Sequence, residues 1–469
     1  MFFKHNAVDM LHGSLFKNIL LFTLPIMLSN LLQLFFNAAD LIVVGRFCGS
    51  RSVAAVGATT SIIHLLVNLF IGLSIGAGIA VANAFGAGDE EEIRKTVHTA
   101  IPTAFFSGAV LTGIGIAVSG GLLELMATPA DIIGKSDVYL KIYFCGTVFT
   151  LLYNFGAAIL RAVGNTVSPL LYLTAAGLVN IVLNILFVTV FHMDVAGVAL
   201  ATVISQLISA LLVTVALMRR QDSCRLIWRK MRFHASAFRK IIHIGLPAGI
   251  QSVLFSFSNV IIQSSVNSFG SAAISGSAAA GNIEGFIWVL MDSFQQTVMN
   301  FIGQNIGAKK MDRVRRIPWI CLLLVTVTWM LAGIPAYLFA RPLLRIYITD
   351  SEAAIGYGVI RMTYIAFVYY LCGYMNVMSG TLRGLGCSTT PMVISIIGIC
   401  LFRVVWLFGV FSIPAYHTFD VIFLSYPISW AFSLAAELIA YLIVLRHRMR
   451  RLSPPVSPVS LHPLPFSHH

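Results

Sequence analysis

The sequence predicts an all-α membrane protein of twelve transmembrane helices in two pseudo-symmetric six-helix bundles. The first observation behind this is composition. Of the 469 residues 58% are hydrophobic, only 10% are charged, and mean hydropathy is +0.87, whereas a soluble domain carries about 25% charged residues. The apolar residues fall in continuous runs of about 20 or more, each long enough to cross a bilayer as a helix. They do not alternate as barrel strands would.

The second observation is an internal duplication at an offset of 222 residues. Leu24-Pro25 recurs as Leu246-Pro247, Asn37 as Asn259, and LRAVGNTVSP from Leu160 as LRGLGCSTTP from Leu382. Between them Gly49-Ser50 and Gly86-Ala87 recur one residue out of step, as Gly270-Ser271 and Gly307-Ala308. Duplicated membrane proteins are most often transporters, with the substrate site between or within the repeats.

The third observation is the placement of basic residues. Of the 31 Lys and Arg, 23 fall on the side of the N terminus, including the KKMDRVRR run from Lys309 and the RHRMRR run from Arg446. Seven fall on the other side, and Arg403 is left inside a span. By the positive-inside rule both termini are cytoplasmic, in the cell (inner) membrane. Six spans per repeat is an even number, so the halves face the same way and are related by an axis along the membrane normal.

Taken in order, the spans are expected at 16–44, 52–82, 96–119, 137–160, 168–190 and 196–218, then 240–268, 277–305, 316–339, 355–381, 391–412 and 420–446. This divides the chain into a cytoplasmic or interfacial N-terminal segment (1–15), a first bundle (16–218), a cytoplasmic linker (219–239), a second bundle (240–446) and a cytoplasmic tail (447–469). The tail is rich in proline and serine and is expected to be disordered. The first apolar run has no small-residue cleavage site after it and belongs to the repeat, so it reads as a span and not as a cleaved signal. Pro25 and Pro247 occupy matched positions in the first span of each half, which suggests a useful bend there.

The net charge of +13 lies in short loops between spans, so it marks topology and not a nucleic-acid surface. The seven cysteines form no CxxC pair or Cys/His cluster. They read as small packing residues, and neither a disulfide framework nor a zinc site is expected.

Ionisable groups within spans are costly, so each is a functional candidate. Asp40 follows FFNAAD late in the first span, roughly 36 Å along the helix. Its repeat partner is Ile262, so only the first half keeps a carboxylate at this position. The fifth span reads GLVNIVLNILF and puts Asn180 and Asn184 on one helical face. Thr202 lies near the outer end of the sixth span. These four residues are expected to meet, and one carboxylate with amide and hydroxyl oxygens makes a hard-cation or protonatable site. No metal is expected beyond a possible Na⁺ at Asp40.

In the second half Glu284 and Asp292, eight residues apart on the eighth span, share a face and are candidates for a cationic substrate or a proton. Arg403 on the eleventh span and Glu437 on the twelfth fall at similar depth, and a structural ion pair is expected between them. His64 reads as a satisfied polar residue.

At this point the chain resembles the multidrug and toxic compound extrusion (MATE) family. The resemblance covers about Phe16 to Arg448. It rests on the two six-span repeats, the paired prolines, and the LRAVGNTVSP and LRGLGCSTTP turns. NAADLIVVGR points to the DNA-damage-inducible-F-type branch. The resemblance implies a V-shaped pair of bundles that exports organic, often cationic or amphipathic compounds in exchange for H⁺ or Na⁺. It carries the acidic residue of the first span onto Asp40, and the polar residues of the fifth and sixth spans onto Asn180, Asn184 and Thr202. Some relatives have aspartate where this chain has Asn184, which leaves one carboxylate in the bundle.

The sequence therefore reads as a secondary antiporter, with small organic substrates and membrane lipids as partners, no cofactor other than the coupling ion, and a monomeric state. The alternative is a flippase for lipid-linked precursors from the same wider superfamily. Such flippases usually have extra spans and a cationic cavity, and the candidate groups here read as mostly acidic. An enzyme is not expected: no nucleophile–base pair, metal cluster or phosphate loop is visible. A channel is disfavoured because no repeated filter-like loop or ring of like charges occurs.

Overall fold

The computed structural model describes residues 7–126, 128–349 and 351–452. The first half comprises α1 (Leu15–Phe47), α2 (Ser50–Ala87), α3 (Glu90–Leu125), α4 (Ala130–Cys145), α5 (Thr147–Ala162), α6 (Val167–Ile185) and α7 (Asp194–Arg219). The second comprises α8 (Ala235–Asn267), α9 (Ser271–Gly307), α10 (Met311–Leu338), α11 (Ala340–Tyr347), α12 (Glu352–Ile365), α13 (Tyr369–Gly384), α14 (Thr389–Ser395), α15 (Phe402–Gly409) and α16 (Phe419–Leu452).

The helices group into twelve spans. Paired helices α4–α5 and α12–α13 form the fourth span of each half, bent by 45° and 46°. Each fifth span contains a π-helical turn, Leu186–Val190 after α6 and Ile396–Leu401 between α14 and α15. The short α11 lies between spans. The span built by α9 carries a row of polar residues, with Glu284, Asp292, Gln295, Gln296, Asn300, Gln304 and Asn305 along its length. Helices α1 and α8 continue through Pro25 and Pro247.

Turn chemistry repeats as the sequence repeats. Gly49 and Gly270, which precede α2 and α9, have φ of 85° and 88°. Gly164 and Gly386, in the duplicated LRAVGN and LRGLGC turns, have φ of 91° and 82°. Left-handed backbone of this kind is open to glycine and strained for other residues, which is why these are among the residues the two copies share.

Each half has its own apolar core, but the first helix of each half crosses into the other on the side of the N terminus, the near side. Ile19, Phe22 and Ile26 of α1 lie in the core of the second half, with Phe22 edge-on to Phe301 at 5.4 Å. Ile241 of α8 lies in the core of the first. The two crossings are made by repeat-related residues. Where α8 meets α2, glycines abut, and a Cβ on Gly76 would lie 2.2 Å from Ile241 O and 2.8 Å from Gly245 N. Where α1 meets α9, the counterparts Thr23 and Thr297 share a hydrogen bond of 2.9 Å between their hydroxyls. Glycines spaced four apart, Gly72/Gly76 on α2 and Gly245/Gly249 on α8, bring backbones together where lipid supplies no hydrophobic drive between helices.

A further near-side contact is made twice across the pseudo-twofold axis. Gly86 of α2 faces the backbone of Gln304, and its counterpart Gly307 of α9 faces the backbone of Asn83.

The described part of the N-terminal segment, from residue 7, packs against both halves. Val8 N donates to Gly164 O in the first half (3.0 Å). Met10 is buried in the core of the second half, where Asn305 Nδ2 donates to its carbonyl (3.0 Å). The linker after α7 folds back on α3, with Ile227 N donating to His98 Nε2 (3.2 Å) and Cys224 and Leu226 buried. Helix α16 runs to Leu452, past the expected end of the last span; the remainder of the tail lies outside the described residues.

Candidate functional site

Two polar constellations occupy the spanning region. The first is held within the first bundle by α1, α6 and α7. Asn180 and Asn184, one helical turn apart, are both buried, Asn184 completely. Asn184 Nδ2 donates to Asp40 Oδ1 and to Asn180 Oδ1 (3.2 Å), and Asn180 Nδ2 reaches Thr202 Oγ1 at 3.5 Å. The structure thus joins all four expected residues in one hydrogen-bonded chain, with Asp40 half-buried at its end. Asn184 Oδ1 is buried without a hydrogen-bond partner. A carboxylate beside a free amide oxygen presents the oxygen donors a small hard cation needs, or a place for one proton.

The second constellation lines a cavity of about 500 Å³ between the bundles, within the range of about 300–1,000 Å³ usual for small-molecule sites. Its walls come from α2 and α5 of the first half and from α8, α9, α13, α15 and α16 of the second. Toward the far side its lining residues His64, Asn259 and Trp288 are exposed; toward the near side Gly78, Ile79, Asn300 and Arg383 are buried. The cavity therefore faces the far side and is closed at the near side by the crossing helices. His64, expected as a satisfied internal residue, stands exposed at the cavity wall.

The cavity carries three arginines against one carboxylate, Asp292, so the expectation of mostly acidic groups is corrected. Asp292 makes no ion pair within 4 Å among the described residues; two amides hold it instead. Gln296 Nε2 donates to Asp292 Oδ2 (2.8 Å) while Gln296 Oε1 accepts from Arg161 Nη1 (2.9 Å). Gln295, in the amide orientation that satisfies both neighbours, donates to Asp292 Oδ1 (3.1 Å) and accepts from Arg383 Nη1 (3.2 Å). Arg383 Nη2 also donates to Gln251 Oε1.

The remaining sequence candidates divide. Glu284 does not reach the cavity: it is 5% exposed and clamped by Arg361, with Nε–Oε1 at 3.0 Å and Nη2–Oε2 at 2.6 Å. Arg361 Nη1 also donates to Ser277 Oγ (2.7 Å). The expected pair of Arg403 and Glu437 is not formed. Arg403 lies over the Tyr426 ring, 3.8 Å from its centroid, and donates to Ser429 Oγ (3.3 Å). Both carboxyl oxygens of Glu437 are buried without a hydrogen-bond partner. Similar depth on neighbouring spans does not by itself bring two side chains together, since depth leaves the position around the bundle open.

Sequence reasoning missed Arg161, Arg383 and Arg361 as site residues. The signal for the first two was present: they are repeat partners inside the very segment that defines the duplication. They stand at the ends of α5 and α13 and so counted as near-side loop charges.

Comparison with known proteins agrees with this architecture. The family model MatE matches the chain twice, over residues 25–186 and 247–408, again displaced by 222. The probable multidrug resistance protein YpnP of Bacillus subtilis (strain 168) is 28% identical over 404 residues, covering 85% of this chain and 88% of the relative. YoeA of the same organism, also named a probable multidrug resistance protein, is 29% identical over 394 residues, covering 82% and 85%. Among solved structures, a MATE protein in complex with MaL6 superposes with a TM-score of 0.86 at 19% identity, covering 96% of this chain and 99% of that one. An outward-facing MATE transporter of the MOP superfamily also reaches 0.86 at 19% identity, covering 95% and 98%. Twelve membrane-spanning helices in the V-shaped pair of six-helix bundles, matched by the family model in each half, make this chain a member of the MATE family of multidrug efflux transporters, and not an enzyme.

Proposed function

We propose that the protein is a secondary antiporter that exports small organic compounds through the cavity between its bundles and couples export to inward movement of H⁺ or Na⁺ at Asp40. The observation that carries this reading is the separation of two polar sites. The Asp40–Asn184–Asn180–Thr202 chain lies within one bundle, while the cavity is shared by both and does not include Asp40. A cation that binds Asp40 changes how α1 sits on α6, and α1 is the helix that crosses into the other half. Binding at one site can then bias which side the other faces, provided the two access states bind the cation with different affinity.

The distribution of basic residues supports a cytoplasmic near side, with the linker at 219–239 on that side and the cavity facing the exterior. Counterflow in proteoliposomes tests the function. A panel of dyes and drugs is loaded and efflux is followed under an imposed pH gradient and then under a sodium gradient. Gradient-driven efflux that disappears in Asp40→Asn supports the reading, and efflux independent of both gradients refutes it. The arginines of the cavity favour one second reading, translocation of a lipid-linked pyrophosphate, which the same vesicles test by flipping of a labelled isoprenyl pyrophosphate.

A further inference from the structure

We infer that the cavity selects organic anions, compounds that present a carboxylate, sulfonate or phosphate on an aromatic or otherwise apolar body. The inference rests on the antiport reading only in taking the cavity as the substrate site, and it commits that site to a substrate of opposite sign to the one the family resemblance implies.

Three features of the cavity carry it. The first is charge. Arg161, Arg383 and Arg403 line the cavity with Asp292 as the one carboxylate among its lining residues; Glu437 is fully buried outside that lining, and Glu284 is held by Arg361. The second is how these groups are already used. Each oxygen of Asp292 already accepts from an amide, Gln295 or Gln296, so the carboxylate is partly engaged before any cation arrives. The three arginines outnumber the acids near them, and none forms a direct ion pair among the described residues, where Glu284–Arg361 is the buried pair. Arg161 Nε and Arg383 Nε are buried without a hydrogen-bond partner. A buried guanidinium with no carboxylate within 4 Å is only partly compensated by acids farther off, and an anion that brings charge and acceptors into direct contact relieves the rest of that cost. Guanidinium is also the group best suited to planar, bidentate recognition of carboxylate and phosphate.

The third feature is the setting. Arg161 and Arg383 are the same residue of the two repeats, and they converge on one patch of α9 from opposite halves, each through its own glutamine. Tyr369 and Trp430 pack together at 5.4 Å on the same cavity wall, and Arg403 is stacked on Tyr426. A cationic patch toward the closed end and aromatic surface above it form a complement to an amphipathic anion. Because the two arginines come from different halves, an anion held by both is a tie between the bundles.

The test compares two dyes with one xanthene ring system and opposite charge, fluorescein and rhodamine 123, at mildly alkaline pH. Binding to the full-length protein in nanodiscs is read by fluorescence anisotropy, and flux is read in proteoliposomes. Fluorescein is expected to bind at least about tenfold more tightly than rhodamine 123. Arg161→Gln and Arg383→Gln are each expected to weaken fluorescein about tenfold, the loss of one charge-assisted hydrogen bond, without weakening rhodamine 123. Tighter binding of rhodamine 123, or fluorescein affinity unchanged in both variants, overturns the inference.

Should Arg383→Gln fail to fold, Arg161→Gln and competition on the native protein decide. Benzenesulfonate must displace fluorescein and benzyltrimethylammonium must not; the reverse order overturns the inference. Farnesyl pyrophosphate in the same series separates a lipid-linked anion from a soluble one, and displacement by either supports the anionic class. The two readings fail separately. If neither dye moves under any gradient while fluorescein binding depends on the arginines, antiport falls and the anion site stands. If rhodamine 123 is driven across and fluorescein is not, antiport stands and the anion site falls.

Discussion

Closure of the near side depends on backbones in contact, and Gly76→Val tests it. A Cβ on Gly76 would stand 2.2 Å from Ile241 O and 2.8 Å from Gly245 N. These neighbours are backbone of α8 and have no rotamer into which to retreat, so α2 and α8 must separate by about 1 Å or more. Overpacking of this kind costs about 1–3 kcal/mol. If the clash exists in the closed near-side state and is relieved when the halves part, the access equilibrium moves by roughly 5- to 150-fold.

The assay is labelling of a single cysteine at Ile79, which is 3% exposed at the closed end of the cavity, in a variant that lacks the seven native cysteines. A membrane-impermeant maleimide is applied from the near side. Ile79→Cys is expected to label slowly alone and much faster when combined with Gly76→Val. Gly113→Val, where nothing lies within 4 Å of the added Cβ, serves as the control and should leave labelling unchanged. Equal labelling with and without Gly76→Val in folded protein would refute the claim that this crossing holds the near side shut.

Asp40→Asn should abolish gradient-driven efflux while the protein folds and binds dye; efflux at the native rate would move coupling elsewhere. Glu284→Gln strands Arg361 in the bundle and should cost about 3–5 kcal/mol, seen as a lower Tm in detergent, and Glu284→Gln with Arg361→Met should recover much of it. Because Arg403 and Glu437 are not paired, Arg403→Met and Glu437→Gln should shift Tm additively, and a rescue in the double variant would reinstate the pair. Cysteine labelling of the linker at 219–239 should come from the cytoplasmic face; labelling from outside would invert the topology.

The architecture was legible in the sequence because it is written in features with long-range order. Apolar runs fix where helices span, and a 222-residue repeat fixes that two units share one plan. The first-half site was legible for a local reason: Asn180 and Asn184 share a helical face whatever the tertiary arrangement, and α6 had to present that face somewhere. The crossing of α1 and α8 was not legible. Which half a helix packs against depends on side chains from three or four other helices at once, and a pattern of apolar residues is the same for either neighbour. The supposed Arg403–Glu437 pair failed for a related reason, since depth is set by counting residues but azimuth around the bundle is not. Arg361 sits six residues past Ile355 within α12. Its role is not legible because nothing near it in sequence announces Glu284, 77 positions away.

What the two copies share and what they do not share separates scaffold from chemistry. The shared residues are those that set backbone path: left-handed glycines at 49 and 270 and at 164 and 386, and Gly86 and Gly307, which make one near-side contact twice. The residues of the first-half site and of the buried ion pair have diverged. Asp40, Asn180 and Asn184 correspond to Ile262, Phe402 and Trp406, while Arg361 of the buried ion pair corresponds to Tyr139. Even the mirrored crossings differ, glycine on glycine at Gly76–Gly245 and hydroxyl to hydroxyl at Thr297–Thr23. Among the charged residues lining the cavity, the arginines at 161 and 383 are a repeat-related pair, one from each half. A group kept in duplicate at the cavity can act on whatever lies between the halves, whereas a group kept in one half can bias only that half. On this division the arginines belong with the substrate, and Asp40 with the force that drives it.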